Sequence, residues 1–223
     1  MVTKTEKKIG NIYTPRSEGF WTIEGVKDGG ETANYRVYEN MTDSMNHDEL
    51  IKYHNDKKRE GNPYLGSAPL NIAIFSRAYE IRNDYEGINS LRDFFQKGLR
   101  QAPNTLSRAF YMPEGKKDKA IHNYGTPDEY VLEENLVGED NWIKNIKDKK
   151  CLTALFGTSD ANKLNKVFQW LNSTDGYLWT LNSKPENKEE RVVRFYANSG
   201  RLYLGCGRDP AGGCPAFRVE KID

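Results

Sequence analysis

The spacing of apolar positions shifts between strand-like and helix-like periods along this chain. "GFWTIEGV" (19–26) and "NYRVYE" (34–39) read as short strands, and "KDGGET" between them is a turn signal, so the pair predicts a hairpin. "MTDSMNHDELIKYHNDKKR" predicts a short, mostly solvated helix capped by Thr42 or Ser44, and "GNPYLGSAP" reads as a loop. In "PLNIAIFSRAYEIRND", Leu70, Ile72, Ile74, Phe75, Ala78 and Ile81 fall largely on one helical face, with Ser67 as cap and Pro69 in the first turn. "INSLRDFFQKGLR" (88–100) repeats the pattern with Ile88, Leu91, Phe94, Phe95 and Leu99. "TLSRAFYM" (105–112) alternates as a strand does, and "KAIHNYG" and "EYVLEEN" predict a hairpin around "GTPD". "NWIKNI" fits neither period. "CLTALFG" and "SDANKLNKVFQWLNS" read as helices, the second capped by Ser159 or Asp160 and burying Leu164, Val167, Phe168 and Leu171. "GYLWTLN" (176–182) reads as a strand, "SKPENKEER" as a solvated connector, and the remainder as strands and loops.

Helices early and short strands crowded toward the end argue for an α+β fold rather than a doubly wound sheet. Residues 1–18 are polar and basic and read as a flexible N-terminal extension, leaving 19–223 as one domain. Lys and Arg number 33 against 32 Asp and Glu, so no basic excess points to nucleic acid. Apolar residues make up 37%, which implies a highly polar surface. No run of about 18 apolar residues suggests a membrane span. "MVTKTEKKIGN" lacks the apolar stretch of a signal peptide. The expected setting is therefore cytoplasmic or particle-associated.

Catalytic patterns are absent. Walker A, GxGxxG, GxSxG, HExxH and EF-hand spacings do not occur. "GCGRDP" is glycine-rich but leads into no helical pattern, and a phosphate cradle needs a helix N-terminus behind it. His47, His54 and His122 stand in no metal-ligand spacing and read as structural or surface residues, with His122 the best stray candidate for a general base. Cys151, Cys206 and Cys214 form no disulfide framework. The expectation is a protein without enzymatic activity, cofactor or metal.

One stretch differs in vocabulary. "RVVRFYANSGRLYLGCGRDPAGGCPAFRV" (191–219) contains no Lys, Glu, Gln, Met or Trp. It predicts two strands around Asn198, Ser199 and Gly200, with the glycine supplying a positive φ. Val193, Phe195 and Ala197 then share a face with Leu202, Leu204 and Cys206. Arg194, Tyr196 and Asn198 share the other with Arg201, Tyr203, Gly205 and Gly207. The first face is apolar. The second has the Tyr, Asn and Gly composition of a recognition surface, although an ordinary half-exposed hairpin also fits. "PAFRVEKI" reads as a final scaffold strand.

The succession "RVVRF…YANSGRLYLGCGRDP…PAFRV" resembles the end of the C-type-lectin-like fold of the formylglycine-generating type, as used by the variable proteins of diversity-generating retroelements. The resemblance covers roughly the last 50 residues. It departs from the family pattern at Ala216, where Gly is usual before Phe-Arg, and lacks the "GG-W" after the first strand. In that family an error-prone reverse transcriptase rewrites adenines in a C-terminal variable region. Asn codons changed this way cannot reach Lys, Glu, Gln, Met or Trp, the types missing here. The resemblance implies a variable region at 191–219 whose ligand-binding positions are Tyr196, Asn198, Gly200, Arg201, Tyr203, Gly205, Gly207, Arg208, Ala211, Gly212, Gly213 and Cys214. Val193, Phe195, Leu202, Leu204, Pro215, Phe217 and Val219 would be the fixed scaffold. The implied function is noncatalytic display toward a protein or surface glycan, without nucleic acid. Two alternatives remain: a copper or thiol oxidase of the same fold, using Cys206 and Cys214, and a structural or assembly protein of a virus or mobile element.

Overall fold

A computed structural model of the chain describes residues 12–13, 19–84, 87–207 and 210–222. The expected extension over 1–18 therefore lies outside the described residues, apart from the backbone at 12–13, and so does Arg208. The fold is α+β, and the described strands form two sheets.

The five-stranded sheet runs β1 (Ile12–Tyr13), β2 (Phe20–Asp28), β3 (Glu31–Tyr38), β12 (Arg218–Ile222) and β4 (Tyr64–Leu65) in spatial order. β2 and β3 form the expected hairpin, turning through Gly29 and Gly30 at φ 56° and 90°, a region where a Cβ is strained. β4 corrects the loop expected over "GNPYLGSAP": Tyr64 and Leu65 pair with Val219 and Arg218 of the last strand. Two residues carry no period, so only the distant partner reveals the strand.

The seven-stranded sheet runs β7 (Tyr130–Glu134), β6 (Asp118–His122), β5 (Asn104–Tyr111), β10 (Glu189–Ala197), β11 (Leu202–Gly207), β9 (Gly176–Trp179) and β8 (Asn141–Trp142). Its neighbours are antiparallel except β11 and β9, which are parallel. The alternation read in β5 overstates its exposure, because all eight residues are buried. Ala109 and Tyr111 join the main core, while Leu106 packs with Leu50 and Leu65 under helix α1 (His47–Arg59). Both faces of this central strand are thus covered.

α1 is capped by Asn46 rather than by Thr42 or Ser44. Glu49 N–H donates to Asn46 Oδ1 at 2.9 Å, and Asn46 N–H donates to Glu49 Oε2 at 2.9 Å, a reciprocal capping box. The Thr42 hydroxyl instead accepts the Ala216 N–H at 2.9 Å, fastening the C-terminal segment. α2 (Ala68–Glu80) is capped by Ser67 with Pro69 in its first turn, as the sequence predicts. α3 (Ile88–Leu99), α4 (Lys150–Phe156) and α5 (Ala161–Asn172, capped by Asp160) follow their apolar stripes. The stretch that fits neither period contains β8 and one 3-10 turn, Ile143–Asn145.

The main core extends from Trp21 to Val219 and draws on both sheets and on α2 to α5. At its centre, Phe75 of α2 meets Phe95 of α3 at 4.8 Å, Phe195 of β10 at 5.6 Å and Phe217 at 5.9 Å, all edge to face. Phe195 and Phe217 belong to the apolar set of the terminal segment. Their burial fixes which side of β10 and β11 faces outward.

Candidate functional site

The terminal hairpin divides as its alternation predicts. Val193, Phe195, Ala197, Leu202, Leu204 and Cys206 are each no more than 2% exposed. The register pairs Tyr196 with Tyr203, Arg194 with Gly205 and Val192 with Gly207. The turn departs from expectation, because Gly200 has no positive φ. Asn198 holds it instead: its Oδ1 accepts the N–H groups of Gly200 and Arg201, both at 2.9 Å. A side-chain carbonyl that mimics a backbone acceptor closes the turn without a left-handed residue.

The outer face continues beyond the hairpin. The parallel register sets Tyr177 beside Tyr203 and Trp179 beside Gly205, and Trp142 of β8 pairs with Tyr177. One row across four strands therefore reads Tyr196, Tyr203, Tyr177, Trp142. Tyr196 stacks on Tyr203 at 5.9 Å and 20°, Tyr203 meets Tyr177 at 5.7 Å, and Tyr177 meets Trp142 edge-on at 5.3 Å. The guanidinium of Arg201 lies 4.6 Å from the Tyr177 ring centre and 4.9 Å from that of Trp142, a cation–π arrangement. The next row reads Arg194, Gly205, Trp179.

Between the rows lies an open groove of about 360 Å3 lined by Asp140, Tyr177, Trp179, Arg194, Tyr196, Asn198, Arg201, Tyr203 and Gly205. The volume falls near the lower end of small-ligand sites, room for one or two side chains. Trp179 and Tyr196 rise from its walls, 39% and 40% exposed. Asp140 is anchored at one rim, where its Oδ1 accepts the Thr180 N–H at 3.0 Å.

Five expected site residues share this groove: Tyr196, Asn198, Arg201, Tyr203 and Gly205. Gly200 is exposed at the turn. Gly207 is buried under the Arg194 side chain, whose Nε would stand 2.5 Å from an added Cβ. Ala211, Gly212, Gly213 and Cys214 lie apart on a loop laid against α1. There Cys214 exchanges backbone hydrogen bonds with Met45, and Pro210 O accepts the His47 N–H at 3.0 Å. Arg194 links the two clusters, donating from Nη1 to Cys214 Sγ at 3.9 Å.

Sequence reasoning did not select Asp140, Trp142, Tyr177, Trp179 or Arg194 as site residues. The alternation in "GYLW" places Tyr177 and Trp179 on one face, but no local signal says that β9 lies beside β11.

His122 has a partner the sequence could not reveal: its Nδ1 accepts from Ser107 Oγ at 2.8 Å while Nε2–H donates to Ala154 O at 2.7 Å. Ser107 Oγ in turn accepts the Ala68 N–H at 2.9 Å. Both side chains are 0% exposed, so the pair meets no substrate in this conformation. Burial lowers the pKa of His122 to about 4, keeping the ring neutral. All three cysteines are free thiols. Cys206 faces the core, and burial pushes its pKa up to about 11. Cys214 is half-buried and meets Arg194 on the outer side. Among the described residues no group of three or more His, Cys, Asp or Glu could hold a metal ion. No described helix is long and apolar enough to cross a membrane.

Comparison with known proteins returns no matching family model, no matching curated protein and no matching solved structure.

Proposed function

We propose that this chain is a noncatalytic binding protein that presents the outer face of β10, β11, β9 and β8 to a ligand. In this reading the scaffold is C-type-lectin-like, and 191–219 is the region that a diversity-generating retroelement rewrites. The carrying observation is the partition of one hairpin. Tyr196, Asn198, Arg201, Tyr203 and Gly205 surround a single open groove, while Ala197, Leu202 and Leu204, which alternate with them along the strands, fill the core. A surface that must change its letters without unfolding requires such a division. Tyr and Trp supply broad, rigid contact area with few torsions to immobilise, which suits anchors of recognition. Tyr196, at 40% exposure, is free to serve as one, which favours presentation over a hairpin that merely packs.

A substitution scan of 191–207, read by proteolytic stability of the displayed full chain, tests the partition. Tyr196, Arg201 and Tyr203 should accept most residue types, whereas Val193, Phe195, Leu202 and Leu204 should accept only apolar ones. Equal intolerance on both faces would sink the display reading. The origin of the variation has its own test in the genome. A near-copy of the 3′ coding segment should lie beside a reverse transcriptase gene, differing only opposite adenines.

A further inference from the structure

The groove's charge is unbalanced: two arginines and one aspartate line it. Among the described residues, neither Arg194 nor Arg201 meets a carboxylate. Arg194 donates to the weak acceptor Cys214 Sγ, and Arg201 lies on the Tyr177 and Trp142 rings. Several other arginines pair with carboxylates, Arg36 with Glu220, Arg77 with Glu80, Arg108 with Asp48 and Glu190, and Arg191 with Glu189, while Arg82, Arg92 and Arg218 lie over single rings outside the groove. The two groove arginines stand toward opposite sides of the aromatic row, Arg201 over β8 and β9, Arg194 on β10. The acceptors nearby are partly committed: Asn198 Oδ1 closes the turn and Asp140 Oδ1 holds Thr180. An uncharged sugar would leave both guanidinium charges without a counter-charge. A planar guanidinium held on an aromatic face keeps its N–H edge directed outward, where a carboxylate can be bound by two parallel hydrogen bonds.

Resting on the binding-face reading above, we infer that the groove takes an acidic segment of a partner protein. An aromatic or aliphatic side chain sits between Trp179 and Tyr196 over Gly205, and an Asp or Glu carboxylate meets Arg201, with Arg194 favouring a second acidic residue on the other side. Charge complementarity selects this occupant over single-stranded nucleic acid. A nucleic-acid track needs a continuous line of cations to neutralise successive phosphates. Here two arginines and one aspartate line a groove that is only about 360 Å3.

The test uses the full chain, immobilised, against a phage library of random linear peptides. Labelled oligothymidine and a sialylated oligosaccharide serve as separate probes. Enriched peptides should carry Asp or Glu next to an aromatic or aliphatic residue and should weaken as salt rises. Their affinity should fall by roughly tenfold or more in Arg201→Gln and nearly vanish in Trp179→Ala or Tyr196→Ala. Arg201→Lys keeps the charge without the planar fork and should recover only part of the loss. An unchanged melting curve identifies variants that remain folded. Neutral or basic peptides that still depend on Trp179 and Tyr196 would overturn the acidic preference and leave the binding face standing. No enrichment, or enrichment indifferent to both residues, would overturn the binding face itself. Groove-dependent binding of oligothymidine or the sialylated probe, in place of peptides, would replace the protein partner by that class.

Discussion

A methyl group at position 205 would stand 2.9 Å from the carbonyl oxygen of Trp179 and 3.2 Å from its Cβ. The obstruction is backbone, which cannot swing aside as a side-chain tip can. Gly205 is therefore more than a vacant position in the groove floor, because it lets β9 lie close beside β11. Gly205→Ala should cost about 1–3 kcal/mol by overpacking. A denaturant titration that follows Trp fluorescence would measure it, and a neutral result would show that β9 relaxes freely. Gly207 differs, since the atoms nearest its added Cβ belong to the Arg194 side chain, which can move. Within one face, then, some small residues are required by packing and others are open to change.

Arg108 of β5 ties three elements together. Its Nε donates to His47 Nδ1 at 2.8 Å, its other nitrogens pair with Asp48 of α1 and Glu190 of β10, and the guanidinium lies 4.1 Å from the Tyr124 ring centre. The arginine is 6% exposed, but its carboxylate partners are not deeply buried, so the pairs are screened more than interior ones. Arg108→Leu should lower stability by about 2–3 kcal/mol, mainly through the orphaned His47 and Glu190. Arg108→Lys should recover less than half, because an ammonium cannot reproduce the fork. Chemical unfolding of both variants checks the order. The same fastening holds the first strand of the terminal hairpin at its base, opposite the exposed turn.

At the scale of the molecule, three buried imidazoles link the fold to pH. Burial is the main cause that brings His47, His54 and His122 each down to about 4 from an ordinary 6.5, with Arg108 adding to the shift at His47 and Lys58 at His54. Between those values the unfolded chain binds protons that the folded chain does not. Stability from these groups is thus complete above about pH 6.5 and is lost as pH falls toward 4. The melting temperature should drop steadily when the protein is acidified from about pH 7 to 5. A flat profile over that interval would mean that the rings titrate as they do in the unfolded chain.

The local elements and one piece of the site are legible in the chain's own pattern. Helical stripes, the Ser67 cap, the choice of Ser159 or Asp160 as the other cap, the Gly29–Gly30 turn and the two-faced terminal hairpin all rest on contacts between residues close along the chain, so their signals are local. The tertiary structure decided which neighbours those elements meet. The parallel placement of β9 beside β11 brings Tyr177, Trp179 and, through β8, Trp142 to the hairpin's outer face. Strand order depends on backbone hydrogen bonds between distant segments, which leave no mark in either sequence. For the same reason the Thr42 hydroxyl reads as a helix cap in sequence and becomes a fastener for Ala216 in space. The alternation of residues 191–207 foretold a face, and only the fold completed it with an aromatic wall from elsewhere in the chain.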